Sequence, residues 1–368
     1  MNIPFLSFKK INSDVRSELS TTFESFIDSC YYILGERVRQ FEKEYARYSH
    51  TQYCAGVANG LDAIVIALRC LNIGVGDEVI VPSNTYIASW LAVSYVGATP
   101  IPVEPNSATY NIDPAKIEAK ISKKTKAIMP VHLYGQCCEM DPIMQIAKKH
   151  NLFVVEDNAQ SQGATYNGKL TGSFGDINST SFYPGKNLGA YGDAGAITTD
   201  NEALYHRATT IRNYGSAKKY YNDEKGMNSR LDELQAGLLG VKLGHLNNWN
   251  RERNIIAGQF DEQLKNMGDL ILPIIAKNAT SVYHLYVIRT QKRDELQAHL
   301  NKNGIGTLIH YPLPPHLQKA YQDLNFKKGD FPLAESIADT CLSIPMYPGL
   351  TKDEVSYICE QIKSFFHA

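Results

Sequence analysis

Three short segments of the sequence place polar groups where predicted strands end. Residues 58–62 (ANGLD) follow a predicted strand at 53–57 and open a helix, where small residues and the helix dipole let backbone N–H groups hold a phosphate. Asp157 follows a predicted strand at 152–156, and its carboxylate could bind a ligand N–H⁺ through a charge-assisted hydrogen bond. Ser181 and Lys186 lie at the end of a third predicted strand, 179–183, and in the Gly-rich segment after it.

None of these segments identifies a site alone. A turn such as 58–62 is usually an ordinary helix cap, an Asp at a strand end often caps a turn, and a single Lys is usually a solvated surface charge. In open α/β sheets, however, ligands bind outside the carboxyl ends of the strands, so the three segments fall on one edge. Pyridoxal phosphate needs this combination: an anion cradle, a carboxylate for the ring nitrogen and a lysine for the Schiff base.

The elements that position these groups alternate along the chain from about residue 52. Strands are predicted at 53–57, 78–82, 99–103, 125–130, 152–156, 179–183 and 195–199, and helices at 61–71, 86–96, 114–121 and 141–150. This alternation predicts an α/β fold with a mostly parallel sheet and helices on both faces.

The last third of the sequence changes pattern. One or two long helices are predicted over 231–264, followed by a strand at 282–290, a helix at 293–303, a strand at 307–310 and a terminal helix at 352–366. We therefore expect a large cofactor-binding domain, residues 1–248 with the N-terminal segment, and a small α+β domain, residues 249–368.

The composition excludes several classes of function. The 368 residues carry 37 Lys and Arg against 38 Asp and Glu, a balance that gives no field to attract nucleic acid or an anionic membrane. Seven cysteines without a Cys-x-x-Cys pair indicate neither a disulfide framework nor a zinc site, and we expect no metal. The first residues are too polar for a signal peptide and no apolar run is long enough for a membrane span, so we expect a cytoplasmic protein.

Longer motifs carry a family resemblance. LGERVRQFEKEYARYSHT, NGLDAIVIALRCLNIGVGDEVIVPSNTYIAS, PVHLYGQCCEMDPI, VVEDNAQSQGA, SFYPGKNLGAYGDAGAI and NSRLDELQAGLLGVKL resemble the sugar-nucleotide aminotransferases of the DegT type over nearly the whole chain. The resemblance implies the fold type I, aspartate aminotransferase-like architecture and pyridoxal 5′-phosphate as cofactor.

The resemblance also implies roles for single residues. Lys186 would form the Schiff base, Asp157 would pair with the pyridinium nitrogen, Gln160 would reach the ring hydroxyl and Tyr86 would stack on the ring. The phosphate would be held by the amides of Gly60 and Leu61, the hydroxyl of Ser181 and, from the partner subunit of a homodimer, Asn228.

The substrate is a nucleotide-linked keto-sugar by the same resemblance. HLYGQCCEMDPI, SFYPGKNLGA and GSAKKYYN are most similar to enzymes that make dTDP-3-amino-3,6-dideoxyhexoses from a dTDP-3-keto-6-deoxyhexose, with glutamate as amino donor. We expect Tyr183, His310 and Tyr311 to face the sugar and Lys219 to contact the nucleotide diphosphate, although His310 could equally be a structural histidine.

Three other interpretations stay open at this point. The chain could act on a 4-keto sugar, or it could be a cofactor-bound regulatory protein without turnover. A sugar-dehydrating relative lacks the lysine, and Lys186 argues against it. The sequence does not choose between gluco and galacto sugars, or between dTDP and UDP.

Overall fold

A computed structural model describes residues 1–367 and has a seven-stranded sheet at its centre. The strands occur in the order β1-β9-β8-β5-β4-β2-β3; the pairs from β8 to β3 are parallel, while β9 runs antiparallel to both β8 and β1. Two small antiparallel sheets, β6-β7 and β10-β11, complete the strands. Their bounds are β1 Tyr53–Val57, β2 Glu78–Pro82, β3 Thr99–Val103, β4 Thr125–Ile128, β5 Phe153–Asp157, β6 Thr165–Tyr166, β7 Lys169–Leu170, β8 Ile177–Ser181, β9 Gly195–Thr199, β10 Tyr286–Arg289 and β11 Cys341–Ile344.

The α-helices surround the sheets. They are α1 Lys9–Asp14, α2 Arg16–Asp28, α3 Glu36–Ser49, α4 Gly60–Cys70, α5 Ile87–Tyr95, α6 Pro114–Ile117, α7 Met140–His150, α8 Glu202–Ile211, α9 Glu233–Leu243, α10 Leu246–Leu264, α11 Arg293–Lys302, α12 Pro332–Thr340 and α13 Lys352–His367. Between residues 1 and 367, none is both long and apolar enough to cross a membrane.

Alternating residues of the central strands enter different cores. In β2, Val79 and Val81 pack in a cluster with α4, α5 and α8, whereas Ile80 packs in a second cluster with α6 and α7. Because both faces of the strand are buried, its sequence is a continuous apolar run. The predicted α/β class, with a mostly parallel sheet covered on both faces, is therefore confirmed.

Several predicted bounds were wrong. The strand expected at 307–310 is a single bridge, Leu308 to Ser343, because the backbone just before it pairs with the chain's start: Ile3 donates to the Gly304 carbonyl at 2.7 Å and Gly306 donates to Ile3 at 2.8 Å. Strand β10 pairs with β11, a strand that the sequence did not predict. The predicted strand 179–183 begins and ends two residues earlier, so Tyr183 lies beyond it.

A separate core forms around β10 and β11. It contains residues of α10, α11 and α13, and also Ile3 from the start of the chain. The boundary that we predicted between residues 248 and 249 falls inside the continuous helix α10. The division into these two domains stays a prediction.

Candidate active site

The first helix after β1 opens a site for an anion. Asn59 caps α4 by accepting a hydrogen bond from the Asp62 amide at 2.8 Å, and the amides of Gly60 and Leu61 lie in the first turn, where helix N–H groups lack intrahelical partners. Gly60 lies so close to Ser181 that a Cβ there would be 2.5 Å from the serine Cβ. The close approach brings the helix start and the end of β8 together, as the phosphate cradle requires.

Asp157 ends β5 as predicted and is held firmly. The residue is only 6% exposed. Its Oδ1 accepts from the Ala159 amide at 3.1 Å, and its Oδ2 accepts from the Ser89 hydroxyl at 2.8 Å. An ionised carboxylate has about four acceptor positions, so two remain for a ligand. A buried carboxylate with free acceptor capacity fits a protonated ring nitrogen.

Lys186 lies on the turn after β8. Its amide donates to the Tyr183 carbonyl at 2.8 Å, and the next residue, Asn187, is anchored by donating to Asn250 at 2.8 Å and to the Val282 carbonyl at 3.0 Å. Burial lowers the pKa of the Lys186 amine to about 8, and the nearby Asp157 charge offsets only part of this effect. A large neutral fraction near pH 8 suits an amine that must react with a carbonyl and move a proton.

Gln160 has a defined orientation. Its Oε1 accepts from the Tyr134 amide at 2.7 Å, so the other end of the amide must be the donor, and Nε2 donates to the Tyr311 hydroxyl at 3.2 Å. The ring of Tyr86 lies 5.2 Å from that of Tyr311, centre to centre. Tyr311 thus contacts Gln160 and Tyr86, two residues that are predicted to bind the cofactor. The sequence did not indicate these contacts.

His310 is held as a neutral side chain. Its ring Nδ1 is 2.8 Å from the Ser343 hydroxyl, its carbonyl accepts from the Tyr134 hydroxyl, and its ring lies 5.7 Å from that of Phe5. Burial and the charge of Lys186 lower the pKa of His310 to about 4. The same two causes, burial first, lower the pKa of His284 well below its usual value. Both histidines therefore belong to the surroundings of Lys186.

Three of the predicted site residues are exposed at the surface: Tyr183, Lys219 and Asn228. Tyr183 is 58% exposed beside Lys186, and Lys219 lies in the surface segment after α8, its Nζ 5.1 Å from the centre of the Tyr220 ring. Asn228 forms a bridge with Asn213 at the surface. Within residues 1–367, no hydrogen bond joins Asn228 or Lys219 to Lys186 or Asp157.

The sequence did not reveal every polar contact of the site. Ser89 and Thr85 lie in the NTYIAS motif, in which the sequence singles out only Tyr86, and Tyr134 lies in HLYG, a segment that carries the resemblance but no predicted role. Ser89 lies 68 residues from its partner Asp157, so the contact depends on the packing that holds α5 against α4, β2 and β3. The one signal in the sequence was the position of Ser89, whose hydroxyl lies three residues after Tyr86 at the start of a predicted helix.

An anion cradle, a buried carboxylate with free acceptors and an amine of lowered pKa share one end of the sheet. These residues fit pyridoxal phosphate, and with the fold they define an enzyme of the pyridoxal-phosphate class.

The chain belongs to the DegT/DnrJ/EryC1/StrS aminotransferase family, whose model matches residues 13–363. A dTDP-3-amino-3,6-dideoxy-α-D-galactopyranose transaminase of Aneurinibacillus thermoaerophilus is 51% identical over 363 residues, which cover 99% of each chain. A dTDP-3-amino-3,4,6-trideoxy-α-D-glucose transaminase of Streptomyces venezuelae is 44% identical, covering 99% of this chain and 96% of the relative.

Solved structures agree with this assignment. The crystal structure of S. venezuelae DesV in complex with a ketimine intermediate has a TM-score of 0.98 at 44% identity, covering 100% of this chain and 99% of that one. The chain is thus an aminotransferase, and its cofactor is pyridoxal phosphate, as in solved structures of this fold that contain the cofactor or its amine form.

Proposed function

We propose that the chain transfers the amino group of glutamate to C3 of a dTDP-linked 3-keto-6-deoxyhexose, giving a dTDP-3-amino-3,6-dideoxyhexose. The amine of Lys186 beside the buried carboxylate of Asp157 carries the amino-transfer part of the proposal. The sugar is supported by the two relatives described above, whose names both specify a dTDP-linked sugar with its amine at C3 and no oxygen at C6.

Lys186 is the proton-transfer residue in this proposal. Bound pyridoxal phosphate supplies a carbonyl that condenses with amines and a protonated ring that accepts electrons when a Cα–H bond breaks. Lys186, neutral in part near pH 8, would move the proton from glutamate Cα to the cofactor's carbonyl carbon in the first half-reaction. In the second half-reaction it would move a proton from that carbon to C3 of the sugar. A positioned base of this kind contributes about 10²–10⁴-fold.

The neighbouring residues hold and orient the cofactor. Asp157 would keep the ring nitrogen protonated, and the Gln160 amide, oriented by the Tyr134 backbone, would donate to the ring hydroxyl oxygen. Tyr86 would lie against the ring. The amides of Gly60 and Leu61 and the hydroxyl of Ser181 would hold the phosphate.

The site is completed by a second copy of the chain in a homodimer. Helix α2 has no buried residue, and a group of large apolar side chains on and after it is exposed: Phe23, Ile27, Tyr31, Tyr32 and Ile33. An isologous interface would cover this surface and bring Asn228 to the phosphate of the partner's cofactor. Light scattering coupled to gel filtration gives the mass, and full specific activity from a monomer would contradict the shared site.

Substrate contacts follow from the position of the remaining predicted residues. Tyr183 and His310 lie beside Lys186 and are proposed to contact the hexose, with Tyr311. Lys219, exposed and next to Tyr220, is proposed to close over the diphosphate as a point charge.

We also propose a cytoplasmic location. All seven cysteines are free thiols and six of them are buried. Free thiols are typical of a reducing compartment.

The decisive experiment offers the purified enzyme, with glutamate, four substrates: the 3-keto and 4-keto 6-deoxyhexoses, each linked to dTDP or to UDP. NMR locates the new amine on the ring. We expect amination at C3 of the dTDP sugar, with borohydride fixing the cofactor to the peptide of Lys186. Amination at C4 would contradict the proposed 3-keto substrate, and a preference for UDP would contradict the proposed nucleotide. Labelling of a lysine other than Lys186 would contradict the proposed Schiff-base residue. Cofactor binding without turnover of glutamate would favour the regulatory alternative.

A further inference from the structure

Two hydroxyl groups lead to the carboxylate of Asp157. Ser89 Oγ lies 2.8 Å from Asp157 Oδ2, and Thr85 Oγ1 lies 3.1 Å from Ser89 Oγ. The residues are 2% (Thr85), 1% (Ser89) and 6% (Asp157) exposed. Because water has little access to these groups, each hydroxyl must find its partners within the chain.

The direction of the two hydrogen bonds is determined. An ionised carboxylate only accepts, so the single proton of Ser89 is donated to Asp157. The contact between Ser89 and Thr85 must then use the proton of Thr85, with Ser89 as acceptor. Thr85, Ser89 and Asp157 therefore form a one-way relay, in which each bond polarises the next.

The helix that carries Ser89 is anchored near its start. A serine within a helix commonly points to solvent or bonds the carbonyl four residues before it, whereas Ser89 donates to a side chain on β5. The adjacent Trp90 is completely buried and donates its indole N–H to the Pro82 carbonyl at 3.0 Å, which ties the start of α5 to the end of β2. Ser89 thus holds Asp157 from a fixed point.

We propose that Thr85 and Ser89 are positioning residues that orient the Asp157 carboxylate and stabilise its negative charge for the cofactor's ring nitrogen. The Ala159 amide occupies the other oxygen, so the donors fix both ends of the carboxylate and direct its free acceptors to one place. This inference rests on the role proposed for Asp157.

The proposal predicts a graded series. Loss of a hydrogen bond to a charged group changes an equilibrium about 10-fold or more, so Ser89→Ala should weaken pyridoxal phosphate binding and slow the glutamate half-reaction by about 10-fold each. Thr85→Val removes only the distal donor and should cost about 3-fold. Ser89→Thr keeps the hydroxyl and should retain most of the cofactor affinity and most of the rate of the glutamate half-reaction.

The chain offers a matched control on the same helix. Ser94 is also a serine of α5, and its hydroxyl contacts Tyr321 at 3.2 Å rather than Asp157. Ser94→Ala should leave cofactor affinity and both half-reactions unchanged. If Ser89→Ala leaves Thr85 too poorly satisfied to fold, the double variant Thr85→Val, Ser89→Ala removes both partners and should fold while keeping the functional loss.

A cofactor analogue separates positioning from a general structural role. In the analogue, a CH group replaces the ring nitrogen of pyridoxal phosphate, so the carboxylate has no N–H⁺ to bind. We measure the dissociation constant of each cofactor by absorbance titration for wild type, Ser89→Ala and Asp157→Asn. The loss caused by Ser89→Ala should appear with pyridoxal phosphate and disappear with the analogue.

Each outcome has a definite meaning. An equal loss with both cofactors would overturn the proposal, because Ser89 would then serve only the fold; so would normal affinity and rate in Ser89→Ala alongside a defective Asp157→Asn. Normal behaviour of Asp157→Asn itself would overturn the role proposed for Asp157, and with it this inference.

Discussion

Two lysines in different regions share the same perturbation and differ in their surroundings. Burial lowers the pKa of both Lys186 and Lys242 to about 8. Lys242, on α9, donates to the Gly189 carbonyl, and its Nζ lies 4.2 Å from the centre of the Tyr191 ring. Lys186, three residues before Gly189, has the Asp157 charge nearby as the influence that opposes burial.

The comparison teaches that a lowered pKa does not by itself identify a catalytic amine. Burial produces it in both regions. Lys242 uses its ammonium to hold the end of the segment that carries Lys186, whereas Lys186 is placed at a strand end next to a ligand-accepting carboxylate. The partners of the amine, more than its titration, distinguish support from chemistry.

The largest expected effect breaks the catalytic side of the comparison. Lys186→Ala removes the proposed base, so the glutamate half-reaction should slow by about 10²–10⁴-fold, while Lys242→Met should stay within about 10-fold of wild type. Stopped-flow absorbance of each variant with excess cofactor measures the rate. A Lys186→Ala enzyme within 10-fold of wild type would assign the proton transfer to another group.

The pH dependence of cofactor attachment sharpens the same contrast. The neutral amine is the reactive form, and with a pKa lowered from 10.5 to about 8 its fraction rises as pH rises, levelling above about 8. Attachment of pyridoxal phosphate to the cofactor-free enzyme should therefore accelerate about 10-fold per pH unit below that point. Lys242→Met should show the same profile, and a profile that keeps rising to pH 10 would mean that Lys186 is not perturbed.

Stability should move in opposite directions in the two regions. Lys186→Met removes a poorly solvated ammonium and should stabilise the cofactor-free fold by about 1–2 kcal/mol at pH 7. Lys242→Met leaves the Gly189 carbonyl without its donor and should destabilise by about 1–3 kcal/mol. Urea unfolding gives both values, and equal signs would remove the distinction.

The smallest effect concerns an exposed lysine outside both regions. Lys219→Ala should raise KM for the sugar nucleotide about 3- to 10-fold with little change in kcat, because a diphosphate contact differs little between ground and transition states. Lys218→Ala is the matched control, since Lys218 lies 4.9 Å from the Tyr221 ring in the same segment. If Lys219→Ala slowed the glutamate half-reaction, the proposed contact between Lys219 and the nucleotide diphosphate would be wrong.

The sequence predicted much of this site because its signals are local. Asp157 follows an apolar run that had to be a buried strand, and Gly60 follows another, so both groups could be located within a residue or two. Strand β11 and the role of Ser89 were missed for a different reason. Residues 341–344 become a strand only by pairing with β10, and Ser89 meets Asp157 only because tertiary packing places α5 over β2 and β3. Such long-range contacts leave no periodic trace in the sequence.

The pairing of Ile3 with the backbone at 304–306 bears on biosynthesis. Ile3 is 1% exposed and belongs to the core around β10 and β11, whose other members are encoded after residue 255. At about 5–20 residues per second, a ribosome needs roughly 15–60 s to make the intervening chain. Ile3 must therefore wait for the segment around residue 305 before it can pack, and a fusion that delays Ile3 would slow maturation without touching the catalytic groups.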